Sequence, residues 1–218
     1  MTNGLIPITD EQAKLSQEIV KAFRDLGSFF GRALGSTPED LVGYYGGDRL
    51  RIRRAENIVK MMCEAQARLA VMGIEETKPA TLSIALPILE GAADEDREEL
   101  VDLWARLLAN AMDPNMNSVR YSFVDAVKKM DPLDAVVLRH IHEQNITAVR
   151  RGHIPDNENQ NTGIDDISIA IGHRSDEVEV SLRHLQDLLL FDYANNTWVV
   201  NAISREFLRA CYPEVKPE

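Results

Sequence analysis

Clustered arginines, clustered carboxylates and five histidines are the residues of this chain on which chemistry could rest. Arg49, Arg51, Arg53 and Arg54, followed by Lys60, make the densest basic patch. Guanidinium groups in such a patch suit phosphate or carboxylate recognition. On a helix they splay in several directions and cannot all serve one contact surface. The patch therefore reads either as a solvated face paired with nearby carboxylates or as a contact for RNA, nucleotide, another anion or an acidic protein. The carboxylates Asp94, Glu95, Asp96, Glu98, Glu99 and Asp102 have no histidine at ligand spacing. At a helix N-terminus they complement the dipole, so no metal ligand is expected among them.

Of His140, His142, His153, His173 and His184, none has an arginine at the spacing that HEPN-type ribonucleases require. The nucleophile elbow, the Walker A loop and the H-E-x-x-H pair are not found either. A Ser-His-Asp triad needs no sequence adjacency, so spacing leaves it open. These readings point to no catalytic residue, no metal and no cofactor. Cys63 and Cys211 lie far apart, and both read as buried thiols of a reducing compartment.

The elements that must position these residues are mostly helical. The 218 residues are 44% hydrophobic and 27% charged, an ordinary globular composition. The formal net charge of −11 disfavours nucleic acid over most of the surface. No apolar run is long enough to span a bilayer. The N-terminus does not read as a signal peptide, so a cytoplasmic protein is expected.

A first helix opens with the capping spacing of Thr9 and Gln12 and carries the stripe Leu15, Ile19, Ala22, Phe23, Leu26, Phe30 and Ala33. Gly27 and Gly31, one turn apart, predict close approach of a neighbouring helix and permit a homodimer. Residues 37–40 start a second helix that Gly46-Gly47 kinks or breaks. Beyond it Ile52, Ala55, Ile58, Val59, Met62, Ala65 and Leu69 form a stripe that Gly73 closes, with Glu56–Lys60 and Glu64–Arg68 pairs on its outer face.

A short buried segment follows at 82–89. Asp94 then caps the clearest helix, whose apolar stripe is Leu100, Leu103, Trp104, Leu107, Leu108 and Ala111, with Glu98, Glu99, Asp102, Arg106 and Asn110 opposite. Asp113-Pro114-Asn115 ends it. Residues 124–130 make a short helix. A further helix from Asp131-Pro132 ends near Glu143, before a polar loop at 145–163.

From there the order is a helix at 165–171, a helix capped by Ser175, a hairpin about Asn195-Asn196 and a last helix at 203–210. The predicted fold is mainly α: a long-helix body over residues 1–130 and a small winged-helix-like module over 131–218 containing a short β-hairpin. The would-be recognition helix, 175–190, carries Asp176, Glu177, Glu179 and Asp187 against Arg174 and Arg183. Such a face repels phosphates, so DNA binding through it is disfavoured.

One run resembles a known family. Glu90, Glu99-Leu100 and Leu103-Trp104-Ala105-Arg106-Leu107-Leu108-Ala109-Asn110-Ala111, followed by Asp113-Pro114, is similar to the central motif of the Abi-alpha proteins. Those are bacterial proteins associated with abortive infection, a form of phage defence. The arginine-rich entry to the preceding helix, Ala65-Gln66 with Leu69, and the stretches 85–92, 122–138 and 205–213 are similar too. The sequence departs from the family pattern at Ala55, where an aromatic is expected, and at Leu189, where a glycine is common.

The resemblance implies a phage-defence protein acting through protein partners, with no catalytic residue to carry over. It leaves Trp104, Leu107, Leu108, Asn110 and Asp113 structural: Trp104 a core anchor, Asn110 and Asp113 a helix stop made by local side-chain hydrogen bonds. The alternatives are a winged-helix DNA-binding regulator or antitoxin-like protein, or a nuclease or nucleotide-processing effector whose site the sequence does not reveal.

Overall fold

A computed structural model describes residues 49–116, 119–150, 163–194 and 197–212, together with Gln17, Lys21, Phe29, Gly31 and Ala33. Its continuous elements are α1 (Arg49–Val71), α2 (Leu82–Ala93), α3 (Glu98–Met112), α4 (Tyr121–Lys129), α5 (Pro132–Arg150), α6 (Ile164–Ile171), α7 (Ser175–Asp187), β1 (Asp192–Ala194), β2 (Thr197–Val199) and α8 (Ala202–Cys211). The fold is mainly α, and no described helix is long and apolar enough to cross a membrane.

The core is organised around α3. Its buried residues include Leu100, Val101, Leu103, Trp104, Ala105, Leu107, Leu108, Ala109 and Asn110, and so occupy most of its circumference. That distribution follows from its neighbours: α1, α2, α4, α5 and α8 all pack on it. A helix surrounded in this way has little solvent face to spend on charge. Asn110, expected on the polar side, is buried, because α8 covers that side. The predicted stripe of α1 is buried apart from the half-buried Val59, with Met61 added to it. Lys60 and Arg68 do not serve α1 alone: Lys60 lies 3.7 Å from Glu98, and Arg68 pairs with Asp102, both on α3.

Several boundaries differ from the sequence expectation. Residues 82–89 extend to a full helix, α2, through Pro87, because Ala85, Ile88, Leu89, Ala92 and Ala93 bury against α1, α3 and α4. Asp94 closes α2, and α3 starts after Arg97. Of the acidic run, only Glu98 and Glu99 occupy the first turn of α3. Glu95 is buried in the connection, taken by the Arg97 guanidinium at 2.8 and 2.9 Å. The residue ahead of α7 is Arg174 rather than Ser175, whose hydroxyl donates to Asp165 at 2.8 Å.

α5 continues past Glu143 to Arg150, so residues 145–150 are helical and not loop. A weak helix-forming sequence can extend a helix already nucleated, since each added residue gains a hydrogen bond. Residues 151–162 of the expected loop lie outside the described residues, as do the Thr9 cap, Gly27, the 37–40 start and the Gly46-Gly47 break. At Gly31 an added Cβ meets nothing within 4 Å among the described residues. Of the N-terminal stripe, Ala33 is buried, beside Phe29, which lay outside the expected stripe. The two thiols differ as well: Cys211 is buried, but Cys63 is exposed on α1.

β1 and β2 pair antiparallel with Tyr193 opposite Trp198, their ring centroids 4.9 Å apart. Asn195 and Asn196 lie outside the described residues. Three helices end in the same hydrogen-bond closure, in which the residue just after a left-handed one donates five residues back. The bonds are Ile74 N–H to Leu69 O at 2.9 Å, His173 N–H to Ser168 O at 3.1 Å and Leu190 N–H to Leu185 O at 2.9 Å. Each closure needs one left-handed residue. It is Gly73 at φ 69° and Gly172 at φ 73° in the first two, but Leu189 at φ 62° in the third. The family departure at Leu189 therefore falls on a position whose backbone favours glycine. Leu189 is mostly exposed, so its side chain contributes little burial. Leu189→Gly is expected to raise stability by about 1 kcal/mol, since a β-carbon in this region costs roughly 1–2 kcal/mol; urea denaturation measures it.

Candidate functional site

α1, α3 and the end of α8 enclose a cleft of about 400 Å³, lined among the described residues by Glu64, Ala67, Arg68, Val71, Met72, Arg106, Ala109, Asn110 and Cys211. One turn of α1 supplies Glu64 and Arg68, and one turn of α3 supplies Arg106 and Asn110, because residues four apart stand on one helix face. Asp102, another turn back on α3, joins the two helices. It accepts from Arg106 Nε at 2.8 Å and pairs with Arg68 through its other oxygen.

The Arg106 guanidinium lies over the Tyr212 ring, 4.4 Å from its centroid, and Tyr212 stacks with His142 at 4.8 Å. This cation–π contact fixes the guanidinium plane. Asn110 is a buried polar group of the cleft lining. Its Nδ2 donates to Ala210 O at 2.5 Å, tying α3 to α8, while its Oδ1 has no hydrogen-bond partner among the described residues. Arg68 Nε is likewise buried and has no hydrogen-bond partner among the described residues, although the same guanidinium pairs with Asp102.

Burial sets the protonation states. Cys211 and Tyr212 are both pushed well above their ordinary ranges by desolvation, which outweighs the opposing pull of Arg106. Thiol and phenol therefore stay protonated at neutral pH, and Cys211 offers no thiolate nucleophile. Arg68 is pulled down from its usual value, first by burial and then by the charge of Arg106, with Glu64 acting against them.

A second cluster joins α5 to α7. Asp134 is buried; its Oδ1 accepts from Ser181 Oγ at 2.6 Å, and its Oδ2 from His184 Nδ1 at 2.7 Å and from Asp131 N–H at 2.8 Å. A carboxylate only accepts, so His184 carries its proton on Nδ1. Ligand atoms of Asp131, Asp134 and His184 lie within 4.8 Å of one another, a donor set of metal-binding type. Three protein donors already use the Asp134 oxygens, which accounts for the cluster as a buried clamp between two helices. Ser181, Asp134 and His184 do not form a nucleophilic triad: the serine bonds to the carboxylate and not to the imidazole.

The residues singled out in the sequence are distributed unequally. Arg53 and Arg54 are away from the cleft, bonded to Asp96 at 2.7 Å and to Asp94 at 2.6 Å on the turn between α2 and α3. These exposed pairs contribute little stability, about 0–1 kcal/mol each. Arg49 and Arg51 begin α1, and their side chains lie outside the described set. Trp104, Leu107 and Leu108 are core, as expected. Asp113 does make the local stop, accepting from Asn115 N–H at 2.8 Å. Asn110 does not: its side chain reaches a carbonyl a hundred residues away. Arg68, Arg106 and Tyr212 were missed as site residues. The one sequence signal for them was Arg106 and Asn110 standing one turn apart inside the family motif.

Comparison with known proteins fits this architecture to a family. No curated protein and no solved structure matches the chain. Residues 53–217 match the family described as abortive infection alpha. That span holds most of α1, all the later elements, and every residue of the cleft. The chain belongs to the abortive infection alpha family.

Proposed function

We propose that this protein acts in phage defence by abortive infection, in the cytoplasm, and works through contacts with protein partners and not by catalysis. The carrying observation is the family match across 53–217, which takes in most of the helical core. The state of the basic residues supports protein contacts over nucleic acid. Arg53 and Arg54 are bonded to Asp96 and Asp94, Arg174 to Asp176, and Arg183 to Glu179 at 2.6 Å. Phosphates would have to displace these carboxylates on a chain of net charge −11, at a Coulombic cost.

Plating a broad phage panel on cells with and without the gene tests the role. Fewer plaques, with infected cells losing viability before the burst, is the expected result. Equal plating across the panel would overturn it.

A second reading rests on the order α5, α6, α7, hairpin, which follows a winged helix and would make residues 131–218 a module distinct from the body at 1–130. It predicts a salt-sensitive mobility shift with the protein's own promoter DNA. No shift at low salt removes it.

A further inference from the structure

We propose that the outer faces of α6 and α7 dock a basic, amphipathic helix of a partner protein. The proposal rests on the protein-contact role given above and names the chemistry of the partner. α7 buries Val178, Ser181, Leu182 and Leu185 against α5 and α6. On its opposite side Asp176, Val180, Arg183 and Asp187 recur at four, three and four, and all face solvent. On α6, Asp165 and Asp166 stand one turn before Ile169, and these three are exposed as well. The two faces adjoin at the start of α7, where the Ser175 hydroxyl donates to Asp165 at 2.8 Å and lies 3.2 Å from Ser168 Oγ.

Two apolar side chains on this surface contribute nothing to the core. Ile169 is 81% exposed and Val180 68%, so neither gains from burial. Both are β-branched, and such residues lose side-chain freedom against the preceding turn of a helix. On a solvent face that loss has no return within the chain. A partner side chain laid over Ile169 and Val180 supplies the missing burial.

The charge around them sets the character of the partner. Between residues 163 and 187 the chain carries six carboxylates and two arginines. Arg174 pairs with Asp176, and Arg183 with Glu179. Glu177 lies 3.5 Å from His173 Nδ1. Asp166 and Asp187 have no ion-pair partner among the described residues. Each stands within two turns of an exposed β-branched side chain on its own helix, Asp166 of Ile169 and Asp187 of Val180. A helix that sets lysine or arginine beside apolar side chains meets both features together. The same carboxylates repel phosphates, so the surface selects a basic polypeptide over nucleic acid.

Titration of the full chain with three helical peptides of about four turns, read by fluorescence anisotropy and by amide chemical shifts, tests this. One peptide is built of lysine and leucine, one of lysine and serine at equal charge, and one of glutamate and leucine. The lysine–leucine peptide is expected to bind with Kd below about 100 μM, at least ~5-fold tighter than either other peptide and weakened by salt. The largest shifts should fall within residues 163–187. Val180→Ser changes only an exposed side chain and should weaken binding at least ~3-fold. Asp166→Asn with Asp187→Asn should weaken it at least ~5-fold, and Glu75→Gln with Glu76→Gln, an equal charge change on the exposed segment after α1, less than ~2-fold. A Kd above about 1 mM, equal binding of the lysine–serine peptide, shifts centred elsewhere, or equal losses from the two charge pairs would overturn the proposal. So would duplex DNA binding these residues more tightly than the peptide, or the same shifts on concentrating the protein alone, which would give the surface to a second copy. Phage plating reads the defence role and this titration reads the surface, so the failure of one is distinguishable from the failure of the other.

Discussion

Gly91→Ala is expected to destabilise the protein by about 2 kcal/mol, although helix propensity alone predicts a gain of roughly 1 kcal/mol for this change inside a helix. The reversal comes from Trp104. A β-carbon at Gly91 would lie 2.5 Å from Trp104 Cζ2 and 2.7 Å from Cη2, well inside contact distance. The indole is 1% exposed and held among the core residues of α2, α3 and their neighbours, so it has nowhere to retreat.

The contact also makes the cost diagnostic, because Cζ2 and Cη2 are outer atoms of the fused indole, at positions a phenylalanine ring in the same rotamer does not reach. In a Trp104→Phe background, Gly91→Ala should cost less than about 0.5 kcal/mol, giving a coupling energy of about 1–2 kcal/mol in a double-mutant cycle. Trp104→Ala alone should cost about 3–5 kcal/mol through the cavity it leaves. Urea denaturation of the four proteins of the cycle measures all of this. A Gly91→Ala protein as stable as the parent would show that α2 and α3 can part at little cost.

The clamp between α5 and α7 carries the second large effect. Asp134→Ala leaves three donors without their acceptor: the Ser181 hydroxyl, the His184 Nδ1–H and the Asp131 N–H. Asp134 is 1% exposed and Ser181 3%, so water cannot simply replace the carboxylate. The expected loss is about 2–4 kcal/mol, the range for breaking a buried charged network from one side. His184→Ala should cost less, because the imidazole is one-third exposed and its removal leaves Asp134 two of its three donors. The damage should be local first. Hydrogen exchange in α7 (Ser175–Asp187) should rise in Asp134→Ala while α3 keeps its protection. A loss below 0.5 kcal/mol, or uniform exchange across both helices, would mean that the clamp is replaceable by solvent.

The sequence by itself determined the helical class, the core face of α1, the apolar stripe of α3, the hairpin position and the family. Each of these is written in local periodicity or in a contiguous motif, such as the run from Leu103 to Ala111, and periodicity is a property of neighbours three and four apart. The helix ends were less legible: α2 runs through Pro87 and α5 runs on to Arg150, since packing and elongation override local breaker signals.

What only the tertiary structure decided is the site. Arg68 read as the partner of Glu64 on its own helix, yet it meets Asp102 across the interface with α3. Asn110 read as a helix stop, yet its amide holds Ala210 and leaves an oxygen with no partner among the described residues. Asp134 and His184 gave no signal at all, being fifty residues apart. Charged and amide side chains are long enough to choose among several neighbours. The choice is made by which helices are brought within hydrogen-bond reach, and that is a consequence of how the core packs, not of spacing along the chain.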